Sequence, residues 1–307
     1  MSNRVELRGI LPAMVTPLTE DGTAIDLEAL RALTERLISA GCGGLIPGGS
    51  TGEFTSLSTD ERETLHSTVI ETASGRVPVV PHTGAMTTAE AIRLSQSAEK
   101  AGATGVMVVP PYYDVPTFQE AKAYYEAVAS SVGIPVMIYH IPGCTGLHLT
   151  PDQIAELAEI PGVDSIKDSG GDASALTELI EKYSDRLQVC NGWDSLTFYG
   201  LAAGAKAAVW GAANIFPELA VELYEAIATR GDLEAGRRVW SKLYPLVDFL
   251  ESDQYAARVK AGCRLLGYKV GPNRLPQLPI SDEDTTTLSH LLAEAGLSPI
   301  SSLTPAI

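Results

Sequence analysis

A (β/α)8 barrel (TIM barrel) with a C-terminal helical extension is the α/β fold that the sequence predicts, and three observations predict it. Eight short apolar runs alternate with longer segments whose apolar residues recur at helical spacing, and regular alternation of strand and helix implies parallel strands joined by right-handed crossovers. The runs are apolar along their length, as strands need to be when helices cover one face and packed side chains the other. Eight such units occupy about 220 residues, a length that suits a closed barrel. An open doubly wound sheet would alternate in the same way, but no G-x-G-x-x-G follows the first run. The cluster Gly48-Gly49-Ser50-Thr51-Gly52-Glu53 also lacks the Lys-Ser/Thr ending of a phosphate loop, so nucleotide binding is disfavoured.

In chain order the runs are GILPAMVTPL from Gly9, GGLIPGG from Gly43, VPVVPHTG from Val77, GVMVVPP from Gly105, IPVMIYHIP from Ile134, VDSIKDS from Val163, LQVCNGW from Leu187 and AAVWG from Ala207. Between them lie helical patterns such as Leu27, Leu30, Leu33 and Leu37, and several open on a capping residue: Ser58, Thr87, Thr150 or Asp172. These units place the barrel in residues 1–230. From about Gly231 the chain offers helical patterns alone, LEAGRRVWSKLYPLVDFL and YAARVKAGCRLLGY, followed by a Gly- and Pro-rich loop and a last helix. Residues 231–307 therefore read as a helical extension packed on the barrel, with a loosely ordered tail after Gly296.

The 307 residues are 45% apolar and 20% charged, which suits a folded globular chain. Its 38 acidic and 22 basic residues give a net charge of −16, unfavourable for nucleic acid or anionic lipid. No run approaches the roughly 18 apolar residues of a membrane span. Cys42, Cys144, Cys190 and Cys263 are scattered, so neither a disulfide scaffold nor a zinc site is expected. The first residues lack a secretory pattern, and a cytoplasmic location is expected.

Barrels of this kind carry their working groups at the C-terminal ends of the strands. Four ends stand out: Gly48 to Glu53 after the second run, Pro110-Pro111-Tyr112-Tyr113 after the fourth, Tyr139-His140-Ile141-Pro142 after the fifth, and Lys167-Asp168-Ser169 after the sixth. Lys167 ends a strand where desolvating an ammonium costs several kcal/mol. Such a lysine either reaches solvent or stands as a neutral amine able to form a Schiff base. Tyr139 is either a core tyrosine or a phenol placed to move protons. Gly49, Ser50, Thr51 and Gly52 make either a plain turn or a cradle for a carboxylate. Tyr112 and Tyr113 read as an exposed pair facing a partner or a ligand. Of His66, His82, His140, His148 and His290, only His82 and His140 fall at strand ends, and no H-E-x-x-H or G-x-S-x-G is present. Metal and serine-hydrolase chemistry are not expected.

Taken together, these four motifs in this order and spacing resemble the dihydrodipicolinate synthase and N-acetylneuraminate lyase family over essentially the whole chain. The resemblance implies a class I aldolase or lyase without a cofactor, in which Lys167 forms an imine with pyruvate or another 2-oxo acid. It implies Tyr139 as the proton carrier, Ser50 and Thr51 holding the pyruvyl carboxylate and relaying the proton, and Gly49 in the same cradle. Tyr113 would reach into a neighbouring subunit's site, in a homotetramer built as a dimer of dimers. Ser169, Gly192, Asp194, His140 and Cys144 fall where the family contacts the rest of the substrate.

Two departures bear on that remainder. Cys144 stands where dihydrodipicolinate synthases carry an arginine for the second substrate's carboxylate, and a thiol cannot replace a bidentate guanidinium. Gly192-Trp193-Asp194-Ser195 keeps the glycine and aspartate of the sialic acid lyase motif but loses its glutamate. The expected activity is therefore cleavage or formation of a 2-oxo-3-deoxy acid, to or from pyruvate and an aldehyde. The alternatives are condensation of pyruvate with aspartate semialdehyde, as in 4-hydroxy-tetrahydrodipicolinate synthase, and imine-based dehydration or deamination.

Overall fold

The computed structural model describes residues 6–299. Six of the eight apolar runs form strands: β1 (Gly9–Pro12), β2 (Val106–Val108), β3 (Val136–His140), β4 (Val163–Asp168), β5 (Gln188–Asn191) and β6 (Ala207–Trp210). All pair in parallel in the order β1-β6-β5-β4-β3-β2. The second and third runs fill the gap between β1 and β2 through single parallel bridges: Ala13 with Ile46, Leu45 with Val79, and His82 with Met107. Backbone hydrogen bonds continue the ring, from Ile46 N to Pro12 O (3.0 Å), Val80 N to Leu45 O (2.9 Å) and Met107 N to Pro81 O (2.8 Å).

The ladder is sparse there because Pro47, Pro78 and Pro81 have no N–H to donate. Gly43 and Gly44 also let backbones crowd together: a Cβ on Gly43 would lie 1.9 Å from the Arg8 carbonyl oxygen. The eight runs thus make one curled, closed parallel sheet. Side-chain alternation splits each run between two cores. Leu11, Ile46, Val80, Met107, Met137, Cys190 and Val209 fill the interior. Ile10, Leu45, Val108, Ile138, Ile166, Val189 and Ala208 belong to the shell beneath the helices.

The capping signals act as the sequence implies. Ser58 and Thr150 form capping boxes at the starts of Thr59–Ala73 and Pro151–Leu157, while Thr87 and Asp172 cap Thr88–Ala101 and Ala173–Tyr183. Beyond β6 the chain is helical. Leu233–Ser252 packs on Thr197–Ala203 and Pro217–Tyr224, and Tyr255–Leu265 and Asp282–Glu294 follow. The expected loose tail falls largely outside the described residues.

One buried ion pair ties this extension to the barrel mouth. Lys260 lies 2.6 Å from Glu53, with side chains 1% and 2% exposed. Lys260 Nζ also donates to Pro272 O (2.8 Å), and Glu53 accepts from Arg274 N (3.0 Å). Burial lowers the Lys260 pKa, partly opposed by Glu53. Glu53 adopts a left-handed conformation (φ 57°), and these partners hold it there. Among the described residues no helix is long and apolar enough to cross a membrane.

Candidate active site

Strand register assembles the centre of the site. In the β3–β4 pair, Tyr139 lies opposite Lys167 and His140 opposite Asp168. Because successive side chains alternate faces, Tyr139 and Lys167 point into the barrel while His140 and Asp168 point outward. Lys167 is 5% exposed, its Nζ lies 4.3 Å from the centre of the Tyr139 ring, and it has no ion-pair partner among the described residues. Packing against the Tyr139 ring, with no ion pair, holds this amine at the end of β4.

The Tyr139 hydroxyl lies 3.3 Å from Ser50 Oγ. Ser50 is exposed at the mouth, in a turn closed by Gly52 N to Gly49 O and Glu53 N to Ser50 O, both 3.0 Å. Gly49 is buried over Met107, whose Cε would be 3.5 Å from an added Cβ. Thr51 is buried beside Gly211, where an added Cβ would come within 2.9 Å of Thr51 Oγ1 and 2.5 Å of the Tyr255 hydroxyl. Gly192 borders Lys167 so closely that a Cβ would meet its Cγ at 2.7 Å and its Cε at 2.9 Å. Ser169 donates from Oγ to Gly192 O (2.8 Å), which fixes the β4 and β5 exits against each other.

Asp194 is buried in the turn after β5 and accepts a hydrogen bond from the Tyr255 hydroxyl. Burial pushes its carboxyl up to about 7; Glu251 adds to the rise, while Tyr255 and Lys167 oppose it. The folded protein therefore keeps a proton that the unfolded chain releases at about pH 4. Stability contributed by this group falls as pH climbs from about 4 to about 7, by up to about 1.4 kcal/mol per pH unit, and is flat above. Asp194→Asn is expected to raise the thermal midpoint more at pH 8 than at pH 5. Equal shifts at the two pH values would show that Asp194 ionises normally.

The remaining expected residues are placed differently. His140 has both ring nitrogens engaged: Nδ1 is 2.8 Å from Asp168 Oδ1, and Nε2 accepts from Leu149 N at 3.4 Å. The network assigns the proton to Nδ1, so the ring ties β4 to the loop after β3. Cys144 is exposed in the short helix Pro142–Thr145, and partial burial of its thiol raises the pKa, opposed in part by Lys167. The tyrosine pair divides. Tyr113 is 84% exposed, whereas Tyr112 is half-buried with its ring edge-on to Phe54 at 5.9 Å.

The structure thus gathers Lys167, Tyr139, Ser50, Ser169 and Gly192 at one mouth, with Asp194 bonded to Tyr255 and both Tyr255 and Thr51 bordering Gly211. His140 turns away from Lys167, and Tyr113 stands out in solvent. Tyr255 and Glu251, which donates nothing but accepts from Ser195 N (3.2 Å), were not singled out from the sequence. Both sit in helical patterns of the extension, and only tertiary contact marks them. Among the described residues no group of three or more His, Cys, Asp or Glu could hold a metal ion.

A closed parallel barrel with an unpaired, buried lysine at the end of one strand and a tyrosine opposite it defines the class of Schiff-base lyases. Comparison with known proteins narrows the class. The model of the dihydrodipicolinate synthetase family matches residues 6–295. The 4-hydroxy-tetrahydrodipicolinate synthase of Methanospirillum hungatei is 38% identical over 287 residues, covering 93% of this chain and 98% of the relative. Among solved structures, the chloride-inhibited dihydrodipicolinate synthase from Acinetobacter baumannii complexed with pyruvate superposes with a TM-score of 0.91 at 32% identity, covering 95% of this chain and 99% of that one. A prophage protein of the dihydrodipicolinic acid synthase family from E. coli K12, also in complex with pyruvate, gives a TM-score of 0.90 at 31% identity, covering 95% and 100%. The chain belongs to the dihydrodipicolinate synthetase family, whose enzymes are pyruvate-dependent lyases that work through a lysine imine without a cofactor.

Proposed function

We propose that this chain is a class I aldolase that cleaves or forms a 2-oxo-3-deoxy acid, to or from pyruvate and an aldehyde. The observation that carries the reading is the Lys167–Tyr139–Ser50 arrangement together with the exposed thiol of Cys144, which supplies no guanidinium at its position. In the cleavage direction the Lys167 amine adds to the C2 carbonyl. Tyr139, in line with Ser50, delivers the proton with which the carbinolamine oxygen leaves as water, and the protonated imine results. Loss of the C4 hydroxyl proton then breaks the C3–C4 bond, and the electron pair passes into the imine to give an enamine while the aldehyde departs. Protonation at C3 and hydrolysis return pyruvate and the free lysine.

Gly49, Ser50 and Thr51 would hold the pyruvyl carboxylate, and Gly192 leaves the space that Lys167 needs. The far end supports an uncharged second half. Asp194 feels the charge of Glu251, Cys144 supplies no cation, and Asp194, Tyr255 and Ser169 suit hydroxyl groups better than a second carboxylate. The exposure of Tyr113 favours its insertion into a neighbouring subunit's site, and with it a homotetramer. We place the enzyme in the cytoplasm.

The names of the relatives favour a second reading, 4-hydroxy-tetrahydrodipicolinate synthase, which condenses pyruvate with aspartate semialdehyde. Product analysis by NMR separates the two. The protein is offered pyruvate with either glyceraldehyde or aspartate semialdehyde, and separately a 2-oxo-3-deoxy sugar acid. Release of pyruvate from the sugar acid, with poor use of the semialdehyde, is expected. An intact carbon skeleton would mean a dehydratase, and efficient semialdehyde condensation would mean the synthase. Cys144→Arg is expected to raise semialdehyde condensation about ten- to a hundredfold, since a charge-assisted hydrogen bond is worth about 1.5–3 kcal/mol. No change would remove Cys144 as the selector.

A further inference from the structure

The turn that carries Ser50 begins at Gly48, which has a left-handed backbone (φ 73°), and two buried histidines hold it. His82, at the end of the third run, lies with Nδ1 3.0 Å from the Gly48 carbonyl oxygen. His66 backs the same residue, for a Cβ on Gly48 would lie 2.8 Å from its Nε2. The His82 ring stands edge-on to Phe54 at 4.5 Å and to Tyr139 at 6.0 Å. Arg62 fixes the backbone beneath it, donating to His82 O (2.8 Å) and Gly84 O (3.1 Å).

The two rings are 1% and 0% exposed, too deep to touch substrate. His82 Nε2 and both His66 nitrogens lack hydrogen-bond partners among the described residues, a cost that a merely apolar filler would avoid. Burial, reinforced by Arg62, lowers the His66 pKa to about 3 and that of His82 well below its usual value. Both are therefore neutral at working pH. A carbonyl at 3.0 Å from Nδ1 requires the His82 proton on that nitrogen. The approach of Arg62 to the same atom at 3.4 Å is then a contact without a hydrogen bond.

We propose that His82 is a positioning residue for the proton relay: it holds the Gly48 carbonyl on one side and the Tyr139 ring on the other, and so sets Ser50 Oγ against the Tyr139 hydroxyl. The inference rests on the reading that Ser50 and Tyr139 pass the proton. It assigns to the third run a part in the chemistry through a fully buried side chain. His66 acts as the stop behind Gly48.

The experiment follows deuterium uptake at the methyl group of pyruvate in D2O by proton NMR, which reads imine and enamine formation without a second substrate. His82→Phe keeps the ring and removes the donor, and is expected to slow exchange about tenfold, a loss of about 1.4 kcal/mol in the barrier. His82→Asn, whose amide nitrogen can take the place of Nδ1, is expected to restore exchange to within about threefold of native. In a Ser50→Ala background, His82→Phe is expected to cost less than about twofold, because both changes break one relay.

An undiminished loss in that background, no loss in His82→Phe, or Asn as slow as Phe would overturn the proposal. If His82→Phe does not fold, His82→Gln removes the Nδ1 donor without added bulk and is read in the same way. Should Ser50→Ala and Tyr139→Phe both exchange at the native rate, the relay itself would fall. That result is separate from an additive His82 effect on a relay that works.

Discussion

Replacing Lys167 with alanine is expected to abolish both the pyruvyl adduct and turnover. Borohydride reduction in the presence of pyruvate, followed by intact-mass measurement, is expected to add one reduced pyruvyl group to the native chain and none to the variant. Rates with any 2-oxo substrate are expected to fall by about a thousandfold or more, since without the imine there is no electron sink for the C3–C4 bond. The effect is largest here because nothing can deputise. Among the described residues Lys260 is the other deeply buried lysine, and its ammonium is committed to Glu53 and Pro272. Folding is expected to survive, since Lys167 has no ion pair to lose and its removal leaves no uncompensated buried charge. An adduct on the Lys167→Ala chain would move the nucleophile elsewhere and sink the assignment.

Gly192→Ala should be nearly as damaging, for a different reason. The added methyl would lie 2.5 Å from Ser169 Oγ, 2.7 Å from Lys167 Cγ and 2.9 Å from Lys167 Cε. Cγ is close to the backbone of β4, so the lysine cannot evade the methyl by moving its tip alone. Either the chain swings toward the mouth, taking the amine off the line of attack, or the β4 and β5 exits part and Ser169 loses its bond to Gly192 O. A displacement of about 1 Å at a reacting atom costs on the order of a hundredfold in rate. That loss is expected in the rate of adduct formation and in kcat, with the thermal midpoint changed little if the lysine yields. Native rates of trapping would show that the amine reacts from a rotamer clear of Gly192.

Much of this architecture is legible along the chain because its causes are local. Apolar runs, caps such as Ser58 and Thr150, and the Pro and Gly residues after each run depend on neighbours a few residues away. Residues at the strand ends, Ser50, Tyr139 and Lys167, follow once the fold is a barrel, because strand ends share one mouth. The same locality explains what was misjudged. The second and third runs read as full strands, yet their prolines limit them to bridges. Tyr112 and Tyr113 read as one exposed pair, yet adjacent side chains part company: one packs on Phe54 and the other stands in solvent.

What the sequence determined by itself is the barrel, the family it resembles and the strand ends at which Lys167 and Tyr139 stand, all of which rest on periodicity and on four motifs in order. Tertiary structure alone decided which face each side chain takes and what it meets. It turned His140 toward Asp168, joined Asp194 to a tyrosine 61 positions away, and set His82 under Gly48 from 34 positions away. No local pattern encodes such pairings. A buried polar group is stable only where a partner from another part of the chain arrives at hydrogen-bond distance, and that arrival is a property of the closed barrel.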